Sequence, residues 1–262
     1  MSNDAPTIQG SATESAQIKA ELAPSGVLRA GINYNNPLLS RRDPKTGDLS
    51  GVAVDLSRQL ARNIGVPVEL IPYDTAGGMA AAAAQHTWDI AYLAIDPARA
   101  TTIEYTAPYL LLEGTYLVRD ASRLHAIEDV DRDGVRIAVT ARSAYDLFLS
   151  RNLKYAQLVR AETTPVSIDM MVAQNLDAVA AVRTALVAAA GRVPDSRILK
   201  GHFMTIPQAA GLPKGRPLAA RYVRQFIESA KASGLVADLL KRYGLGPDDA
   251  IVAPAAPAAP AQ

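Results

Sequence analysis

Trp88-Asp89-Ile90-Ala91-Tyr92-Leu93-Ala94-Ile95-Asp96-Pro97-Ala98-Arg99, running on to Tyr105 and Ala107-Pro108-Tyr109, decides how this chain is read. Its apolar positions Ile90, Leu93 and Ile95 predict a buried strand. Asp96 is a good helix N-cap, with proline at the first helical position after it. Arg99 is thereby placed in a first helical turn, where free backbone N–H groups and the helix dipole favour anions. A guanidinium adds a planar fork that holds a carboxylate by two parallel hydrogen bonds. Taken alone, the segment fits a solvent-facing arginine equally well.

On either side, strands and helices alternate as in an α/β protein. Val27 to Ile32 reads as a strand, followed by a polar loop and a helix capped by Asp55, whose Leu56, Leu60 and Ile64 keep helical spacing. Gly65 ends that helix and Val66 to Tyr73 returns as a strand. An alanine-rich helix runs from Thr75 to His86, and its Gly77-Gly78 pair lacks the spacing of a phosphate-binding loop. The chain crosses to a second unit near Gly114 to Val118. That unit reads as strand 135–139, helix 143–152, strand 157–161, helix 164–173, strand 177–182 and helix 184–191. A return crossing at Ile206 to Gly211 precedes two closing helices, one with Leu218, Tyr222, Phe226 and Ala230 on one face, the other from Leu235 to Tyr243.

The 262 residues suffice for a large core, and a net charge of +1 gives no basic field of the kind nucleic acid requires. Cysteine is absent, and His86, His125 and His202 stand singly without metal-ligand spacing, so neither a metal nor another cofactor is expected. No stretch approaches the ~20 apolar residues of a membrane span, and no membrane insertion is expected. Met1 to Glu21 has no apolar run, so the chain as it stands reads as cytoplasmic, or as periplasmic if a signal peptide has been removed. Ala253 to Gln262, with prolines at 254, 257 and 260, reads as a disordered tail.

Four stretches, in order, resemble the extracellular solute-binding protein family of polar-amino-acid ABC transporters, which has a type II periplasmic-binding fold. They are Gly26-Val27-Leu28-Arg29-Ala30-Gly31-Ile32-Asn33; Gly51-Val52-Ala53-Val54-Asp55-Leu56; the strand and Asp-Pro-Ala-Arg turn with Tyr105 to Tyr109; and Gly134 to Val139 with Leu176-Asp177-Ala178-Val179. The resemblance implies two α/β lobes joined by a two-strand hinge. Lobe 1 is expected over 25–116 and 208–246 and lobe 2 over 117–207, between an extension at 1–24 and an Ala/Pro-rich tail at 247–262. It implies a monomer that captures a small carboxylate-bearing metabolite between its lobes, with an ABC permease or a signalling protein as partner and no catalysis.

Residue by residue, Arg99 matches the family's carboxylate-binding arginine. Tyr92 and Ala94 fall where the family often has serine or threonine. Asn33 and Asn36 match cleft positions, although they are also ordinary turn residues. Ser143 and Ala144 begin a lobe 2 helix whose amides could meet the same carboxylate, or Ser143 simply caps it. Tyr116 covers the pocket or packs. Val182 stands where the family's amino-acid receptors commonly carry an ammonium-binding aspartate, which leaves Glu113, Glu162 or Asp96 to replace it. Arg183 adds a second positive group or lies on the surface. The rival reading is an enzyme resembling cyclohexadienyl dehydratases, which needs a general acid, with Glu113 and Glu162 as candidates.

Overall fold

The computed structural model of the protein describes residues 12–247 and 249–256. In chain order its elements are α1 (Ala12–Leu22), β1 (Leu28–Asn33), β2 (Arg41–Arg42), β3 (Leu49–Ser50), α2 (Val52–Ile64), β4 (Val68–Tyr73), α3 (Ala76–Ala81), β5 (Ile90–Ala94), β6 (Ile103–Tyr105) and β7 (Leu110–Arg119). They continue with β8 (Arg136–Thr140), α4 (Ala144–Asn152), β9 (Gln157–Ala161), α5 (Thr164–Ala173), β10 (Ala178–Val182), α6 (Arg183–Ala190), β11 (Ser196–Ile198), β12 (Met204–Pro213), α7 (Pro217–Ala232), α8 (Leu235–Arg242) and β13 (Ile251–Val252).

One hydrogen-bonded path, β4-β1-β5-β12-β7-β10-β8-β9, runs through both lobes. It is continuous because the two crossing strands pair with each other, antiparallel, from Met204 opposite Gly114 to Gln208 opposite Leu110. Each crossing strand then serves a different lobe at each end. β12 continues along β5, with Gln208 opposite Ala94 and Gly211 opposite Ala91, while β7 continues along β10, with Val118 opposite Ala178. Away from the crossing, β1 pairs parallel to β4 and β5, and β8 pairs parallel to β9 and β10. Parallel strands covered by helices on both faces must be apolar throughout, and all five residues of β5 are buried.

Helix α2 shows how local sequence serves this packing. Leu56, Leu60 and Ile64 face the core at helical spacing, and Gly65 closes the helix at φ 65°. Its start lies earlier than the sequence suggests. Gly51, not Asp55, is the N-cap, because at φ 134° its Cα passes so close to Leu39 that a Cβ would lie 2.4 Å from the Leu39 carbonyl oxygen. Asp55 instead accepts from Tyr243 Oη at 2.8 Å and Arg242 Nη1 at 3.0 Å, tying α2 to the residues of and just after α8. Deeper in the same lobe, the fully buried Asp89 receives Arg29 through a two-point contact at 2.9 and 2.8 Å and Arg216 at 2.9 Å, which fixes β1, the entry to β5 and the entry to α7 to one another.

The ends of the chain are more structured than composition suggests. The expected extension contains α1, whose Ile18 and Leu22 are buried and whose Glu21 accepts the Ala219 amide at 2.9 Å. The expected tail contains β13, with Val252 opposite Leu110, while Lys231 donates to the Pro254 carbonyl at 3.0 Å. Residues 1–11 and 257–262 lie outside the described residues.

Candidate functional site

Strand β5 ends at Ala94, and the helix expected after it does not form. The Asp96 carboxylate does accept from the Ala98 amide, at 2.8 Å, but only a 3₁₀ turn follows, Arg99–Thr101, before β6 rejoins the sheet beside β12. A helix dipole therefore does not act at Arg99. Its position is set by side-chain bonding and burial instead. Arg99 is 6 % exposed, donates Nη1 to the Ala94 carbonyl at 3.2 Å and donates Nη2 to the Arg142 carbonyl at 2.9 Å. No ion pair joins Arg99 to a carboxylate among the described residues. Burial pushes its pKa down, opposed by the field of Tyr105 and Asp96. A buried guanidinium with spare N–H donors and no counter-ion is costly unless an anion joins it.

The Arg142 carbonyl belongs to lobe 2, so this bond spans the cleft. A second tie is the 2.8 Å ion pair between Asp96 and Arg151 of α4. A third is steric: Gly77 of α3 lies so near Arg142 that a Cβ on Gly77 would sit 2.7 Å from the Arg142 Cβ. Arg142 takes the left-handed conformation at φ 59°, its amide held by Asp146 at 2.7 Å, and this turns its carbonyl toward lobe 1. The cleft is closed.

Helix α4 begins just beyond. Ser143 caps it, its hydroxyl accepting from the Asp146 amide at 3.0 Å, and the first amides, at Ala144 and Tyr145, are those a helix leaves without partners of its own. Thr140, Tyr145 and Thr164 form a hydroxyl cluster with separations of 2.9 to 3.1 Å.

Between the lobes lies a cavity of about 80 Å³. Eight of the residues expected from sequence line it: Arg99, Tyr92, Ala94, Asn33, Asn36, Ser143, Ala144 and Val182. Tyr92 is fully buried, its hydroxyl pushed to a raised pKa by burial with Ser57 opposing. Three expected residues do not line the cavity. Arg183 turns to Glu113, Nε to Oε2 at 2.6 Å, and Glu113 also faces His202 Nδ1 at 3.1 Å, so the two charges satisfy each other beside the crossing strands. Tyr116 packs, 2 % exposed, against Phe203 at 4.6 Å between ring centres. Of the acids offered as substitutes, Asp96 is committed to Arg151, and neither Glu162 nor Glu113 borders the space.

The sequence of this chain matches the family of bacterial extracellular solute-binding proteins, family 3, over residues 28–246. The chain belongs to this family. Among solved structures, a mutant of ArgBP from T. maritima superposes with a TM-score of 0.74 at 21% identity, covering 87% of this chain and 99% of that one. The ancestral amino acid-binding protein AncCDT-1, a precursor of cyclohexadienyl dehydratase, gives 0.73 at 23% identity, with 85% and 97% covered. The substrate-binding protein AbpA from Streptococcus pneumoniae, bound to L-arginine, gives 0.73 at 17% identity, with 85% and 96% covered. No curated protein sequence matches the chain. The two-lobed type II fold is thus that of family 3 solute-binding proteins.

In this family 3 chain, sequence reasoning missed several cavity residues: Thr140, Thr163, Thr164, Tyr145, Gln208 and Asp74. Thr140 ends β8 and Thr163 and Thr164 follow β9, at the carboxyl ends of strands where α/β sheets place ligands, and that rule applied to lobe 2 was the available signal. Gln208 had none, since it lies mid-strand and reaches the cavity only because β12 pairs with β5.

Proposed function

We propose that this chain is a solute receptor that captures a small carboxylate between its lobes, catalyses nothing, and delivers its ligand as the binding component of an ABC permease. The observation that carries the reading is Arg99, a buried cation lining the cavity that forms no ion pair among the described residues and has N–H donors left over from its two carbonyl bonds. A carboxylate there would satisfy the guanidinium from lobe 1 while the first amides of α4 meet it from lobe 2, so that closure and binding share one free energy. The relatives in ABC transport point the same way. An enzymatic role finds less support, because the acids named for it, Glu113 and Glu162, do not border the cavity.

The test is a thermal-shift screen of monocarboxylates, dicarboxylates, amino acids and cyclic acids, followed by calorimetry on the hits with Arg99→Ala. A ligand that binds only the folded protein raises Tm by mass action. The reading expects at least one carboxylate whose affinity collapses in the variant. Hits that bind Arg99→Ala as tightly as the parent would overturn it, and turnover of a cyclohexadienyl acid would replace it with the enzyme.

A further inference from the structure

The cavity's inventory of charge and hydrogen-bonding groups narrows the ligand class, given the carboxylate reading above. Arg99 contributes one buried positive charge. The one acid among the lining residues is Asp74, and it is solvent-exposed on the turn between β4 and α3, where water screens it. The Val182 position is apolar, as are its neighbours Ala185 and Ile206. A monoanion would therefore bring the enclosed charge to zero. A zwitterion would leave it at one positive charge, with an ammonium taken out of water and no buried carboxylate to receive it, which is strongly unfavourable.

A second observation is independent of charge. Gln208 is 4 % exposed and lines the cavity, yet among the described residues its carboxamide has no hydrogen-bond partner. Its main chain lies between Ala94 on β5 and Leu110 on β7 and accepts the Tyr109 amide at 2.8 Å. Directly opposite, Ala94 offers no polar side chain, while its carbonyl receives Arg99 at 3.2 Å. Gln208 and Arg99 thus both border the cavity and are both tied to Ala94, one by strand pairing and one by a hydrogen bond. Facing the cavity without a protein partner among the described residues, this amide is open to a hydrogen bond from water or from a ligand there.

We propose that the ligand is a small 2-oxo or 2-hydroxy monocarboxylate without an ammonium group, and that Gln208 is the specificity-determining residue, its amide hydrogen-bonding the ligand's neutral oxygen while Arg99 holds the carboxylate. Gln208 is neutral: its Nε2 donates to an oxo or hydroxyl oxygen, while its Oε1 can accept from an ammonium but supplies no charge to compensate it.

Calorimetry on the full chain compares pyruvate with L-alanine, 2-oxobutyrate with L-2-aminobutyrate, and 2-oxoisovalerate with L-valine. The oxo member of at least one pair should bind about tenfold or more tightly than its amino partner. In Gln208→Leu the oxo acid should lose about tenfold and the ratio should fall, staying above one because the cavity still lacks a buried acid, while Gln208→Glu, which places an acid in the cavity, should reverse the preference. Val182→Asp adds an acid without touching Gln208 and should also shift selectivity toward the amino acid, which keeps the test open if the Gln208 variants misfold. An amino member that binds at least as well as its oxo partner, with affinity lost in Arg99→Ala, overturns this inference and leaves the carboxylate reading standing. An unchanged ratio in folded Gln208→Leu overturns the role of Gln208. Absence of binding by all six compounds at millimolar concentration also overturns the inference, and the wider screen then decides the carboxylate reading separately.

Discussion

Replacing Gly77 by alanine should separate stability from binding. In the closed cleft the added Cβ would lie 2.7 Å from the Arg142 Cβ and 3.2 Å from its carbonyl oxygen, closer than ordinary van der Waals contact allows. Arg142 cannot retreat freely, because its left-handed turn is held by the Asp146 carboxylate and its carbonyl is fixed by Arg99. Overpacking of this kind costs about 1–3 kcal/mol. The cost falls only on the closed state, since separating the lobes removes Arg142 from Gly77. In the open state the same substitution favours the helix by about 0.5–1 kcal/mol, as alanine is the better helix former. The two effects have opposite signs. With its lobes apart, ligand-free Gly77→Ala should melt at the parent temperature or slightly above it, while its affinity for the best carboxylate of the screen falls about 5- to 150-fold, the factor that 1–3 kcal/mol represents. Differential scanning calorimetry and titration calorimetry on the same preparations read both quantities. Unchanged affinity would refute the reasoning, because it would mean that this closed geometry is not the one that holds ligand.

Arg99→Ala should weaken carboxylate binding by about 2–5 kcal/mol, the usual loss on removing one partner of a desolvated charge pair. Arg99→Lys should recover only part of it, because a point charge lacks the planar fork. Asp89→Asn leaves Arg29 and Arg216 without their shared carboxylate and should cost about 3–5 kcal/mol in urea unfolding; a change below 1 kcal/mol would deny Asp89 its place as the tie between β1, β5 and α7. Asp131 receives the amides of Lys154, Tyr155 and Ala156 at 2.9 to 3.1 Å, and although burial pushes its pKa up, those amides outweigh it and hold the pKa below the ordinary 3.8. A lowered folded pKa stabilises above the unfolded value and loses that contribution as pH falls through the folded one. Asp131→Asn should therefore be less stable than the parent at pH 7, with the gap narrowing below about pH 4; equal stability at pH 7 would refute the assignment.

The alternation of strands and helices, the αL stop at Gly65 and the Ser143 cap of α4 were legible because each depends on neighbours within a few residues. The same local logic failed at Asp55 and Asp96, both good caps by type. At the first, the close approach of Gly51 to Leu39 set the helix start four residues earlier. At the second, the pairing of β6 with β12 reclaimed the chain before a helix could grow past its first turn. Arg183 was offered as a second positive group and Glu113 as a replacement for the acid missing at Val182, but the two, seventy positions apart, meet each other through the pairing of β7 with β10.

By itself the sequence determined an α/β chain with two crossing segments and an arginine just after the strand that ends at the cleft, since hydrophobic period, caps and breakers are properties of contiguous residues. Tertiary structure alone decided that this arginine is buried, without an acid partner among the described residues, and bonded to the opposite lobe, that Gly77 must lack a side chain to let Arg142 approach, and that Gln208 lies opposite Ala94 across paired strands and borders the cavity. The physical reason is that desolvation, steric contact and hydrogen-bond satisfaction depend on which groups share a volume, and that volume forms only when distant strands pair and the lobes close.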